Sequence, residues 1–124
     1  IKTVGDAIVA VAGLSSHAIS PVKSCVDCSY KLREIANSQS MPWNLHLGIH
    51  SGSLVAGTVG TKTVQFDILG KTVNVAFNIC DMSESNQILI SSDAWMTARN
   101  EIKVKSIGLK RLKSGQDIEM LECV

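Results

Sequence analysis

The sequence predicts one α/β or α+β domain with mixed strand pairing. Three observations carry this. The chain has 124 residues, room for a single domain. It is 45% apolar and 19% charged but only 4% aromatic, so it can bury a core made mainly of Val, Ile, Leu and Ala. Short β-prone runs alternate with longer stretches of helical spacing, and turn residues separate them without repeats or low-complexity linkers.

Taken in order, residues 1–4 and 7–11 are β-prone and flank Gly5-Asp6, a two-residue hairpin signal that puts Asp6 at the tip. Residues 19–37 space Val22, Cys25, Val26, Leu32, Ile35 and Ala36 as a helical stripe, with Pro21 suited to the first turn. Residues 45–50 alternate Leu45, Leu47 and Ile49 with polar or small neighbours, which predicts a strand. A glycine-rich stretch follows, with Gly52, Gly57 and Gly60, then a short apolar run over 64–69 interrupted by Asp67. Residues 72–82 read as a helix with Val73, Ala76, Phe77 and Cys80 on one face, and Asn74 and Asn78, four apart, on a second. Residues 88–90 form a strand, and Ser91-Ser92-Asp93 can cap a helix running to about residue 100. Strands over 104–112 and 118–124 flank the turn Ser114-Gly115-Gln116-Asp117.

Composition excludes several functions. Twelve basic against eleven acidic residues give a net charge of +1, so no basic field argues for nucleic acid. The longest near-apolar run, residues 7–14, falls far short of the ~20 residues that span a bilayer, and no signal-peptide pattern is present. Four cysteines do not make a disulfide scaffold, and Cys25 and Cys28 form a CxxC inside a helical pattern without a second pair. They are expected to be core or half-buried reduced thiols, which fits a cytoplasmic setting. His17, His46 and His50 lack ligand spacing. The three glycines match no phosphate-loop spacing, so strand ends and tight turns compete with a phosphate site. Asp6 is open between turn former and ligand. Asp67 is either a water-facing strand residue or a paired carboxylate, since an unpaired one costs free energy in an apolar run.

Three segments then carry a resemblance. The opening Ile1-Lys2-Thr3-Val4-Gly5-Asp6-Ala7 resembles the KTIGDA hairpin of class III adenylate and guanylate cyclases. Residues 48–60, beginning Gly48-Ile49-His50-Ser51-Gly52, resemble the family's GIHxGxVVAGxxG stretch. Phe66-Asp67-Ile68-Leu69-Gly70-Lys71-Thr72-Val73-Asn74-Val75-Ala76 resembles its YDIWGxTVNVAS segment, and Leu112-Lys113-Ser114-Gly115 lies at its LKG turn. The resemblance implies a βαββαβ, ferredoxin-like cyclase fold without its opening strand and first helices. Residues 1–124 are then expected to be the C-terminal two-thirds of a catalytic domain.

It further implies formation of cyclic AMP and pyrophosphate from ATP, by attack of the ribose 3′-oxygen on the α-phosphorus. A second cyclase domain would pair head to tail, in a homodimer or heterodimer, with the nucleotide between them. Two Mg²⁺ or Mn²⁺ ions would be held by two aspartates. Asp6 matches the second, while the first belongs to an FxDIxGFT motif that residues 1–124 do not contain. Lys2 and Asp67 match the adenine-selecting pair, which suits adenine chemically: lysine donates to N1 and aspartate accepts from the 6-amino group. Asn74 matches the ribose-orienting asparagine, and Lys113 a triphosphate lysine. Asn78 stands where the family carries an arginine for the transition-state charge. That departure, with the single metal aspartate, predicts that this chain alone is inactive. It also keeps open a non-catalytic cyclase homology domain serving as regulatory or dimerisation partner; a guanylate cyclase is the third reading. Any membrane attachment would come through other parts of the polypeptide.

Overall fold

The computed structural model describes residues 1–14, 20–59 and 65–124, with the backbone alone for residues 59 and 65–68; His17 and Gly60 lie outside the described residues. The opening hairpin is present. Strands β1 (Lys2–Val4) and β2 (Ala7–Val9) pair antiparallel with Val4 opposite Ala7, which leaves Gly5 and Asp6 as the turn. Gly5 has φ of 60°, a left-handed conformation that costs glycine little. The second strand stops at Val9, two residues before its expected end.

Helix α1 (Pro21–Asn37) starts at its proline, and Ser20 caps it by accepting from the Lys23 amide at 3.4 Å. Val22, Val26, Ser29 and Ala36 are buried. Leu32 and Ile35, expected in the apolar stripe, are 45% and 48% exposed. Ser29 takes a place on the buried face, because its hydroxyl is satisfied by donating to the Cys25 carbonyl at 2.9 Å.

The remaining elements are β3 (His46–Ile49), β4 (Val55–Val59), β5 (Gln65–Leu69), α2 (Lys71–Met82), β6 (Gln87–Ser91), α3 (Ser92–Met96), β7 (Val104–Arg111) and β8 (Asp117–Cys123). β4 was not expected as a strand. It is glycine-containing and pairs with β5 alone, so no buried face prints a period of two on it. Helix α3 is shorter than expected. Thr97 ends it by donating its hydroxyl to the Ala94 carbonyl at 2.8 Å, in competition with the next helical turn.

Four strands form a mixed sheet in the order β3-β6-β8-β7, with β3 and β6 parallel and the other neighbours antiparallel. Side chains alternate across it. Ile88 and Ile90 of β6 and Leu121 and Cys123 of β8 meet Val22 and Val26 of α1 and Ala94 of α3. Leu89 of β6 and Ile118 and Met120 of β8 meet Val75 and Ile79 of α2 on the opposite face. α2 also lies against β3 at Gly48. A Cβ there would stand 2.8 Å from the Cys80 Cα and 2.9 Å from the Ala76 carbonyl oxygen, so only glycine admits the helix this closely.

Among the described residues, β3 has no strand on its outer edge and the β1–β2 hairpin has no third strand. A cleft of about 100 Å³ is lined by Val9 and Val11 after the hairpin, Cys25 of α1, Ile49 and His50 at the end of β3, and Ala76 of α2, among others.

Candidate functional site

Four short segments carry the candidate residues. Lys2 is half-buried on β1 opposite Val9, and Asp6 is exposed in the hairpin turn. Asp67 lies on β5 opposite Gly57. Its side chain lies outside the described residues, and so does the expected approach of Lys2 to Asp67.

One residue, Gly70, separates β5 from α2 and caps the helix with φ of 137°. The Val73 and Asn74 amides donate to its carbonyl at 3.2 and 3.4 Å. Thr72 anchors this first turn to the preceding loop by donating to the Ser53 carbonyl at 2.6 Å. Asn74 is exposed and Asn78 half-buried, while Val75 and Ile79 face the core. The amphipathic turn of α2 therefore presents both asparagines along one polar row.

Lys113 reaches that row from far along the chain. It follows Leu112, which is 2% exposed and packs with Val75 and Ile79. The turn after β7 closes through Leu112 N–H to the Gln116 carbonyl at 2.8 Å and Gly115 N–H to the Leu112 carbonyl at 2.9 Å. Arg111 and Asp117 pair across its base at 3.0 Å. So anchored, Lys113 places its ammonium 3.4 Å from the Asp81 carboxylate on α2. Asp81 is seven residues after Asn74 and three after Asn78, hence on the same row. Sequence reading missed it, although that spacing was a usable signal.

His50 belongs to the cleft rather than to this row. Its Nδ1 lies 2.7 Å from the Ser91 hydroxyl. That buried oxygen also accepts from the Ala94 amide at 3.2 Å and caps α3. Burial pulls the His50 pKa below its ordinary 6.5, and nearby Asp93 opposes the shift. All four cysteines are free thiols. Cys25 and Cys80 are half-buried and Cys123 is buried, as expected of core thiols, whereas Cys28 is exposed. Burial raises the Cys25 and Cys80 thiols, and the Cys123 thiol to about 11, so none of these three is an activated thiolate.

The donor set does not fit a two-ion centre. Among the described residues, no three His, Cys, Asp or Glu side chains converge as a metal site requires. Asp6 is one exposed carboxylate, and two divalent ions need several oxygen ligands each.

Residues 1–121 match the family model described as the adenylate and guanylate cyclase catalytic domain. The chain belongs to that family. Among curated relatives, this cyclase domain is 30% identical over 126 residues to soluble guanylate cyclase gcy-31 of Caenorhabditis elegans, covering 97% of this chain and 17% of that protein. It is 30% identical over 95 residues to the aggregation-specific adenylate cyclase of Dictyostelium discoideum, covering 77% of this chain and 7% of that one. The chain thus spans a small part of these relatives' length. Its fold is shared with solved cyclase domains. The guanylate cyclase domain of RhGC from Catenaria anguillulae, in complex with GTP, superposes with a TM-score of 0.84 at 18% identity, over 90% of this chain and 64% of that one. The adenylyl cyclase CyaB from P. aeruginosa gives 0.80 at 20% identity, over 92% and 64%. Relatives of both nucleotide specificities are therefore present. Among the described residues, no helix of the domain is long and apolar enough to cross a membrane.

Proposed function

We propose that this cyclase domain serves an adenylate cyclase that forms 3′,5′-cyclic AMP and pyrophosphate from ATP. It would do so as the C-terminal two-thirds of a catalytic domain paired head to tail with a second one. The observation that carries the reading is the convergence on α2. Asn74 and Asn78 share one row of the helix, and Lys113 is brought to that row by Leu112, 34 residues after Asn78 (112 − 78). Asparagine amides can orient a ribose hydroxyl and phosphate oxygens, and lysine adds a mobile cation for the polyphosphate. Lys2 and Asp67 supply the adenine preference: guanine offers a carbonyl and an N–H where adenine offers an amino group and N1, so both pairings fail with GTP.

The test is substrate choice in the full-length protein. Lys2→Glu with Asp67→Cys should move selectivity toward GTP, measured as kcat/KM for both nucleotides. Unchanged usage of ATP and GTP after the double substitution would remove the adenine assignment. One observation favours a second reading, a regulatory or dimerisation partner without chemistry of its own: Asn78 lacks the charge of the family's arginine.

A further inference from the structure

Asp81 occupies a costly place. It is the next-to-last residue of α2, where the helix dipole is negative and a carboxylate is unfavourable. Its partner there is Lys113 at 3.4 Å. The adjacent Leu112, packed against Val75 and Ile79, fixes the lysine's backbone beside α2 while its exposed side chain stays free to swing. Along the helix axis, Asp81 is only about 4.5 Å beyond Asn78 and 10.5 Å beyond Asn74, at 1.5 Å per residue. The cation expected to meet a polyphosphate is therefore already held by an anion at the negative end of the same polar row.

We propose that Asp81 is an internal competitor for Lys113, a positioning residue that lowers nucleotide affinity and that an incoming triphosphate must displace. This rests on the nucleotide reading above. Both side chains are exposed, 78% for Lys113 and 58% for Asp81, so the pair adds little to folding and can open at small cost. A polyphosphate offers Lys113 several anionic oxygens in place of one carboxylate. Until the exchange occurs, Asp81 both neutralises the lysine and repels the ligand. With Asn at 78 in place of a cation, nothing at that position offsets the repulsion.

The experiment is calorimetric binding of a non-hydrolysable methylene analogue of ATP to the full-length protein. Four forms are compared: wild type, Asp81→Asn, Lys113→Ala and the double variant, with circular dichroism to verify folding. Asp81→Asn should tighten binding roughly three- to tenfold at low ionic strength, and the gain should shrink at 0.5 M salt as charges are screened. Lys113→Ala should weaken binding, and in its background most of the gain from Asp81→Asn should disappear. An equal gain in both backgrounds would overturn the competition, since Asp81 would then repel the ligand independently of the lysine. Weakening by Lys113→Ala with no effect of Asp81→Asn would overturn it while leaving the nucleotide reading intact. Binding that neither substitution alters would remove both residues from the phosphate site. No binding by any of the four forms would overturn the nucleotide reading and the competition with it.

Discussion

On the adenylate cyclase reading, Asn78 is the residue on which turnover would depend most visibly. A short neutral amide stands where a charged donor is expected, and the loss of one preorganised donor costs about 2.7–4 kcal/mol of transition-state stabilisation. Asn78→Arg in the full-length protein should therefore raise kcat roughly a hundredfold. Cyclic AMP formation at saturating ATP measures it, and a neutral or harmful effect would mean that another group stabilises the transition state. His50 supports a different prediction. Its pKa lies below 6.5 in the folded chain because burial disfavours the imidazolium. Below pH 6.5 the unfolded chain binds the proton more readily than the folded one. The His50 contribution is thus fully present above that pH and is lost as pH falls through the lower folded value. Urea unfolding between pH 7.5 and 5.5 should show a shallower loss of stability for His50→Gln than for wild type; identical slopes would reject the assignment. At this scale, the sequence revealed residues that sit in recognisable strings, such as Lys2, Asp6 and Asn74. Asp81's place on the polar row was legible from its spacing, but its pairing was not, because Lys113 arrives from another element. Ser91 was legible as a cap but not as the partner of His50, 41 residues away.

Elements were legible where burial leaves a pattern in the sequence. β3 shows its alternation through Leu45, Leu47 and Ile49, whereas β6 is packed on both faces and shows instead as the short apolar run Ile88-Leu89-Ile90. β4 has no packed layer: Val55 is 69% exposed and Ala56 and Thr58 are also exposed. Helix α2 was legible in extent but not fully in face. It contacts β3 through Ala76 and Cys80 and the sheet's other strands through Val75 and Ile79, so a single stripe understates its buried surface. The close approach at Gly48 is the most sensitive point of that contact. Gly48→Ala forces a methyl against helix backbone and should destabilise the domain by about 1–3 kcal/mol. Gly57→Ala is the control, because nothing lies within 4 Å of where its methyl would stand and its effect should stay within about 0.5 kcal/mol. Chemical denaturation of the two variants decides this, and equal midpoints would refute the packing argument.

The whole molecule combines a packed four-stranded sheet with two hairpins that each stand outside it. The first hairpin exposes Val4 at 46% and Ile8 at 71%, and the second exposes Val55 at 69% and Leu69 at 49%. Between the first hairpin and β3 lies the cleft, with strand edges that no described strand occupies. Unpaired edges and apolar hairpin faces favour pairing with another chain. The 124 residues expressed alone should therefore be poorly soluble and associate with rising concentration, a behaviour that sedimentation velocity over a range of loadings would register. A persistent monomer would contradict it. Association should not restore chemistry. Among the described residues, a symmetric pair of these chains still offers the ions Asp6 from each copy, with no cluster of three ligating side chains, and still carries Asn78 on both polar rows. The first defect leaves the phosphates without the charge of a two-ion site, and the second adds about a hundredfold in rate. The isolated chain should form no measurable cyclic AMP from ATP with either Mg²⁺ or Mn²⁺, at any concentration at which it associates. Turnover above the blank would show that Asp6 and Asn78 suffice, and the carboxylate argument would fall with that result.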